Sequence, residues 1–224
     1  MSQTLIQKIL SRASGKSEVK IGEIVTCDVD IAMILDSGGP RKIWPRLKNL
    51  GVGVYDPEKV IVVSDHFVPA ADPQSAAILK LTRDFVKHYN IKHFYDMEGI
   101  CHVIMAENGH LQPGLFCCGG DSHSTMGGAF GCYMAGFGAI EMTGVVVTGK
   151  IWSVVMDTIK VNWDGYFSKG VTAKDIMLFL AKKLGMENAF KAVEFSGSTV
   201  KRMSMQERMV LTNMAAELGA ETGL

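Results

Sequence analysis

The apolar positions of this chain fall into short runs that end at glycine, proline or an acid–histidine pair. Leu5, Ile6, Ile9 and Leu10 recur at helical spacing, which predicts a helix over 4–11 stopped by Gly15. Residues 19–27 alternate apolar and polar and read as a strand. Asp36-Ser37-Gly38-Gly39-Pro40 is a turn or loop after the apolar run 31–35, and a short helix is expected over 41–50. Val60-Ile61-Val62-Val63 is β-branched throughout and is expected as a central strand. Pro69 and Pro73 break the chain, and Ala77, Ile78, Leu81, Phe85 and Val86 then mark an amphipathic helix over 74–89. A strand at 91–95, a helical turn at 103–108 and a strand at 115–118 follow. Residues 127–138 set Ala, Phe and Met between glycines; a linker would carry more Ser, so tight turns and a closely packed helix are expected. Beyond lie a helix over 140–150, a strand over 153–161 and a helix over 171–184, capped by Thr172 and ended by Gly185. A short strand at 192–195 precedes Ser204-Met205-Gln206-Glu207, a capping box opening a helix to about 218 that Gly219 ends.

Strands alternating with helices predict an α/β fold, three layers α/β/α around a largely parallel sheet. Polar residues and glycines near 163–170 suggest a boundary. Residues 1–165 would then form a first α/β domain carrying the acid–histidine motifs, and 166–224 would begin a second, truncated one.

With 47% hydrophobic and 21% charged residues among 224, the chain can bury a substantial core. A formal net charge of zero and scattered Lys and Arg argue against a nucleic-acid partner held by electrostatics. The start of the chain is amphipathic rather than a signal peptide, and no apolar run approaches the roughly 20 residues of a membrane helix. A soluble, cytoplasmic protein with no membrane partner is expected. The five cysteines, Cys27, Cys101, Cys117, Cys118 and Cys132, contain no Cys-x-x-Cys pair and are expected to be free, reduced and buried. Adjacent on a strand, Cys117 and Cys118 should point to opposite faces.

The chemistry gathers where three apolar runs end. Asp65-His66 follows 60–63, His102 follows 93–95, and Asp121-Ser122-His123 follows 115–118. Parallel strands deliver such residues to one edge of the sheet, where ligands bind in open α/β folds. An Asp beside a His can hold its tautomer and make it a proton donor. Asn213 and Glu217, four apart on the expected last helix, would share one face. His88, His93 and His110 are expected to be solvated. Two readings stand open on these residues alone. One is an enzyme that moves protons on a small polar substrate through His–carboxylate pairs. The other is a mononuclear metal hydrolase with ligands from Asp65, His66, His102, Asp121 and His123.

The order of motifs resembles the aconitase superfamily over essentially the whole chain. The residues that carry the likeness are Asp65-His66-Phe67-Val68-Pro69, Glu98-Gly99-Ile100-Cys101-His102, Gly120-Asp121-Ser122-His123-Ser124, Thr148-Gly149-Lys150, 169–175 and 213–220. Within the superfamily the chain is similar to the N-terminal half of the isopropylmalate-dehydratase type of large subunit. The resemblance implies an aconitase iron–sulfur-domain-like fold, incomplete here, and a hydro-lyase that removes water from a hydroxy acid and adds it back at the neighbouring carbon. Dimethylmalate, homoaconitate and aconitate are the alternative substrate types, a non-catalytic scaffold the alternative role, and leucine biosynthesis the implied setting. It implies a [4Fe–4S] cluster in the complete enzyme as Lewis acid. It also implies that Asp65 and His66 donate a proton to the departing hydroxyl. His102 with Asp121, and His123 with Glu217, then order water, while Ser122, Asn213, Asp36 and Ser37 lie near substrate or cluster.

The sequence also departs from the family. Its cluster cysteines lie in a Gly-Ser-Cys-Thr-Asn type motif and a Cys-x-x-Cys, and neither is present here, so no metal ligand is expected in this chain. The expected partners are a small-molecule hydroxy acid, the missing C-terminal half of the large subunit, and the small swivel-domain subunit that brings the serine base. Alone, the chain is expected to be inactive. Leu35 stands where relatives commonly carry a polar residue near the substrate, which implies a more apolar substrate or a changed activity.

Overall fold

The computed structural model describes residues 3–224; Met1 and Ser2 lie outside them. Helix α1 (Leu5–Ala13) opens on a reciprocal cap, in which Thr4 Oγ1 accepts the Gln7 N–H and the Gln7 side chain accepts the Thr4 N–H. Strands β1 (Ile24–Asp28) and β2 (Ile31–Leu35) lead to α2 (Pro40–Leu50), β3 (Val60–Ser64) and α3 (Pro73–Tyr89). Next come β4 (His93–Asp96), α4 (Cys101–Glu107), β5 (Phe116–Gly119), the 3₁₀ segment Ser122–Phe130 and β6 (Tyr133–Gly136). Helix α5 (Ala139–Thr148), β7 (Lys150–Val154), β8 (Asp157–Asn162), α6 (Ala173–Leu184) and β9 (Lys191–Ser196) follow. The chain closes with α7 (Ser198–Arg202), α8 (Met205–Asn213), the 3₁₀ turn Ala216–Leu218 and β10 (Thr222–Gly223).

Five strands form one wholly parallel sheet in the order β4-β3-β2-β5-β6. Alternate side chains sort into two cores. Ala32, Ile34, Val60, Val62, Phe116 and Cys118 pack with α1, α2, α3 and α5. Met33, Leu35, Ile61, Val63 and Cys117 pack with Cys101, Ile104 and Met105 of α4 and Met126 of the 3₁₀ segment. This is the α/β/α layering expected, and Cys117 and Cys118 fall on opposite faces. All five cysteines are free and buried. From β2 the chain steps outward through β3 and β4, then returns to place β5 on the other side of β2. The C-terminal ends of β2 and β5 therefore flank the point where the winding reverses, the crevice where open sheets bind ligands.

A second parallel sheet, β10-β9-β8, builds its own core from residues between Ile159 and Ala220. Helix α6 begins at the expected Thr172 cap, where Thr172 and Asp175 bond reciprocally. Among the described residues no helix is long and apolar enough to cross a membrane.

Three expectations change. The strand over 153–161 is two strands: β7 pairs antiparallel with β1, and β8 crosses into the second sheet. Buried Val155 and Met156 carry the apolar pattern through the crossing and hide it. The glycine-rich stretch holds strand β6, while β3 lies inside the sheet between β4 and β2, as expected of a central strand. Helix α7 had no sequence signal. The last helix stops at Asn213, and Glu217 sits on a separate 3₁₀ turn, so the two do not share a helical face.

Candidate functional site

The residues after β2, β3 and β5, and the start of α4 after β4, line one edge of the sheet. Three imidazoles there each meet a carboxylate. His66 Nδ1 lies 2.6 Å from Asp65 Oδ1, His102 Nε2 lies 2.9 Å from Asp121 Oδ1, and His123 Nε2 lies 2.9 Å from Glu217 Oε1. An imidazole nitrogen facing a carboxylate carries the proton, so each pair sets a tautomer.

Backbone bonds tie these pairs together. Asp65 Oδ2 accepts the Cys101 N–H at 2.7 Å, which joins the end of β3 to the first turn of α4, next to His102. Asp121 Oδ1 accepts both the His102 ring and the His123 N–H, the latter at 2.8 Å. Thr125 Oγ1 donates to the carbonyl of Asn213, and Thr212 Oγ1 donates to the carbonyl of Met126, so α8 is stitched to the 3₁₀ segment and brings Glu217 to His123. The sequence-distant partner Glu217 is placed by this packing and not by helical spacing. Gly136 is required here: a Cβ on it would lie 2.3 Å from the Asp121 carbonyl oxygen and 2.9 Å from Ser122 Cα, pushing the site loop off the sheet.

His66 and His123 are about 40% exposed at their side chains, whereas His102 is mostly covered. Ser122 is exposed and lies 3.2 Å from His123 Nδ1 through its Oγ, and Ser37 and Asn213 are partly exposed. Asp36 is different. Its side chain is fully buried beneath the site, and its two oxygens accept the N–H groups of His66 and Phe67. Leu35 is likewise buried, packed among Met33, Ile61 and Val63, and offers a ligand no surface. Of the remaining histidines, His110 is partly buried rather than solvated; its Nε2 meets the Tyr95 hydroxyl at 2.6 Å, and burial beside His93 lowers its pKa.

The polar atoms of Asp36, Asp65 and His66 lie within 4.8 Å of one another, a spacing a cation could use. Their hydrogen bonds account for them differently. Both carboxylates are committed to backbone N–H groups, and Asp65 also to the imidazole. The thiols do not fit an iron–sulfur cluster, which thiolates hold. Cys27 and Cys118 lie in the core on one face of the sheet, Cys101, Cys117 and Cys132 in that on the other. Burial pushes the Cys27 thiol up to about 11, and raises those of Cys101 and Cys118 well above the usual range. For Cys117 a hydrogen bond with Cys132 raises the thiol first and burial adds to it.

The hydrogen bond from His102, helped by the His123 N–H, holds the Asp121 carboxyl at about 2. A pKa depressed on folding stabilises the native state above the unfolded value near 4, and that contribution is lost as pH falls toward 2. Urea titrations followed by tryptophan fluorescence should therefore show stability falling with pH in this window, with Asp121 contributing at most about 1 kcal/mol per pH unit. The Asp121→Asn protein should lack that component. Equal slopes for the two proteins would mean that the His102 bond does not form in solution.

The pattern of the aconitase family (aconitate hydratase) matches residues 22–224. The chain is 42% identical over 227 aligned residues to the 3-isopropylmalate dehydratase large subunit 1 of Methanopyrus kandleri, covering 100% of this chain and 54% of that protein. It is 42% identical to the methanogen homoaconitase large subunit of Methanocaldococcus jannaschii (99% of this chain, 52% of that one). It is 37% identical to the 3-isopropylmalate dehydratase large subunit of Aquifex aeolicus (100% and 52%). The chain thus spans about half the length of the curated relatives it matches. With the matched stretch running from before β1 to the last residue, the chain belongs to the aconitase family.

Proposed function

We propose that this chain is the N-terminal part of an iron–sulfur hydro-lyase that dehydrates and rehydrates a hydroxy-dicarboxylate such as 3-isopropylmalate, or a close relative such as homocitrate. The observation that carries the reading is the meeting of three His–carboxylate pairs at the winding reversal of a parallel sheet. Loss of water from a hydroxy acid breaks a C–H and a C–OH bond. Hydroxide is a poor leaving group, so the reaction needs a proton donor at the departing oxygen. In this reading His66 is that donor: its doubly protonated ring, held through Nδ1–H by Asp65, gives the Nε2 proton to the departing oxygen and is left as the Nδ1–H neutral imidazole. His102 with Asp121 and His123 with Glu217 orient the released water, and Ser122, Ser37 and Asn213 border the substrate. Of the three paired imidazoles, His66 and His123 have the most open surface, as contact with a ligand requires.

The cluster and its cysteine ligands would come from polypeptide beyond these 224 residues, as would the groups that bind the substrate carboxylates and the catalytic base. The small swivel-domain subunit is the second expected partner. Apolar side chains more than half exposed, including Trp152 on β7, Leu178 and Phe179 on α6, and Phe190, offer such partners a surface. A cytoplasmic biosynthetic setting, leucine synthesis in particular, belongs to the same proposal.

The test is reconstitution. The chain alone should be silent toward isopropylmalate, dimethylmalate, homocitrate and citrate. Combined anaerobically with a family C-terminal half, a small subunit, iron and sulfide, it should form an unsaturated acid, seen by ultraviolet absorbance. An assembly that forms, carries its cluster and stays silent on all four would defeat the proposal.

A further inference from the structure

Asp36 stands at the end of β2, one residue beyond a strand whose ladder would otherwise stop there. Its own N–H donates to the Val63 carbonyl at 3.1 Å and extends the pairing with β3. Its carboxylate reaches further, across to the turn that follows β3. There it accepts the His66 N–H on Oδ1 at 3.2 Å and the Phe67 N–H on Oδ2 at 3.1 Å. These are the donors a parallel strand leaves without a partner when it ends, and a buried N–H without a partner is costly. The carboxylate is fully buried, so its bonds act where water does not compete and where a charge-assisted bond is strongest.

The same oxygen, Oδ1, lies 3.8 Å from His66 Nδ1, on the side of the ring that also faces Asp65 Oδ1 at 2.6 Å. Asp65 hydrogen-bonds this nitrogen and the buried Asp36 charge lies close behind it, and both favour a proton there, so Nδ1 donates and Nε2 is left to exchange a proton with a ligand. We infer that Asp36 is a positioning residue that holds the His66 backbone and selects the Nδ1–H tautomer from beneath the site, without contacting substrate. His66 is then fixed from three elements: by Asp36 from β2, by Asp65 from the end of β3, and through Asp65 by the Cys101 N–H of α4. Ligand-supporting bonds of this kind determine how well an acid–base group holds its geometry.

The inference rests on His66 as the proton-bearing group of the proposed reaction. Its test reads geometry in the 224-residue chain and needs no turnover, so a silent reconstituted assembly would leave it standing. In the ¹³C,¹⁵N-labelled native chain, scalar couplings across the hydrogen bonds should connect Asp36 Cγ to the amide nitrogens of His66 and Phe67. Ring ¹⁵N shifts in the neutral imidazole should show the proton on Nδ1. In Asp36→Asn one oxygen acceptor is lost, and one of the two amides should exchange about tenfold faster or more, the loss expected for one buried hydrogen bond. The His66 tautomers should become mixed while the other imidazoles keep their shifts. A purely structural role would speed the exchange and leave the tautomer as it was, and that result would overturn the inference. Absence of the couplings in the native chain would overturn it too, and that measurement decides the matter if the variant does not fold.

Discussion

In a reconstituted, active assembly, His66→Asn lowers kcat by about 10²–10⁴-fold and leaves KM within a few-fold, the signature of a group whose contribution appears only in the transition state. In the proposed enzyme the groups that bind the substrate carboxylates lie beyond these 224 residues, so the ground state should notice the change little. The departing hydroxide loses its proton source, and water at neutral pH replaces it poorly. Asp65→Asn should act in the same direction by a different route. Asp65 accepts two donors, the His66 ring and the Cys101 N–H. An Asn has one oxygen for the two, so either the ring turns or the start of α4 loses its tether. His123→Asn is the informative comparison, because its pair with Glu217 orders water in this reading and should cost less than His66. A His66→Asn assembly with kcat within tenfold of the native one would remove His66 from the role of proton donor. Circular dichroism of the isolated His66→Asn chain should match the native one, since His66 is exposed and packs into neither core.

Much of this arrangement is legible in the sequence where local rules act alone. Val60-Ile61-Val62-Val63 is a strand because a β-branched run buried on both faces has few other choices. Thr172 and Ser204 open helices because their side chains satisfy the first-turn N–H groups within three residues. The convergence of Asp65, His102 and Asp121 follows from parallel winding, which puts every strand's last residue at one edge. What stays hidden depends on distant partners. Tyr133–Gly136 becomes a strand through its ladder with β5, while Gly136 and the glycines before the strand speak only of close packing. Val155 and Met156 are apolar in either sheet, so nothing local announces the crossing between them. Glu217 reaches His123 because α8 docks on the 3₁₀ segment, an approach of elements 94 residues apart in sequence at that bond. Asp36 reads as a site residue, and only its burial and its bonds to a turn 30 residues onward show that it works from below.

Gly128→Ala should be among the most damaging single-methyl changes in the molecule, lowering stability by about 3 kcal/mol or more. A Cβ on Gly128 would lie 1.6 Å from the Gly223 carbonyl oxygen, 2.8 Å from its carbon and 3.5 Å from Leu224 Cα. All three are backbone atoms, so no side-chain rotation relieves the clash. Neither wall can retreat cheaply. Around Gly223, the Leu224 N–H donates to the Val193 carbonyl and the Phe195 N–H to the Leu224 carbonyl, each at 2.8 Å, while Thr222 Oγ1 donates to the Met134 carbonyl. On the other wall the Gly128 carbonyl accepts the Gly131 N–H at 2.9 Å. The cost is therefore broken backbone bonds or a parting of the two sheets, since this contact sits where β10 meets the 3₁₀ segment. At about 2–4 °C per kcal/mol for a chain of this size, the thermal midpoint should fall by roughly 6–12 °C. The control has the opposite sign. Gly144 lies inside α5 with open space where its Cβ would stand, so Gly144→Ala should stabilise by about 0.5–1 kcal/mol through helix propensity alone. A Gly128→Ala midpoint no lower than that of the native chain would mean that the two sheets are not joined through this contact. A damaging result reaches the site as well, because the segment that Gly128 anchors carries Ser122 and His123 at its other end.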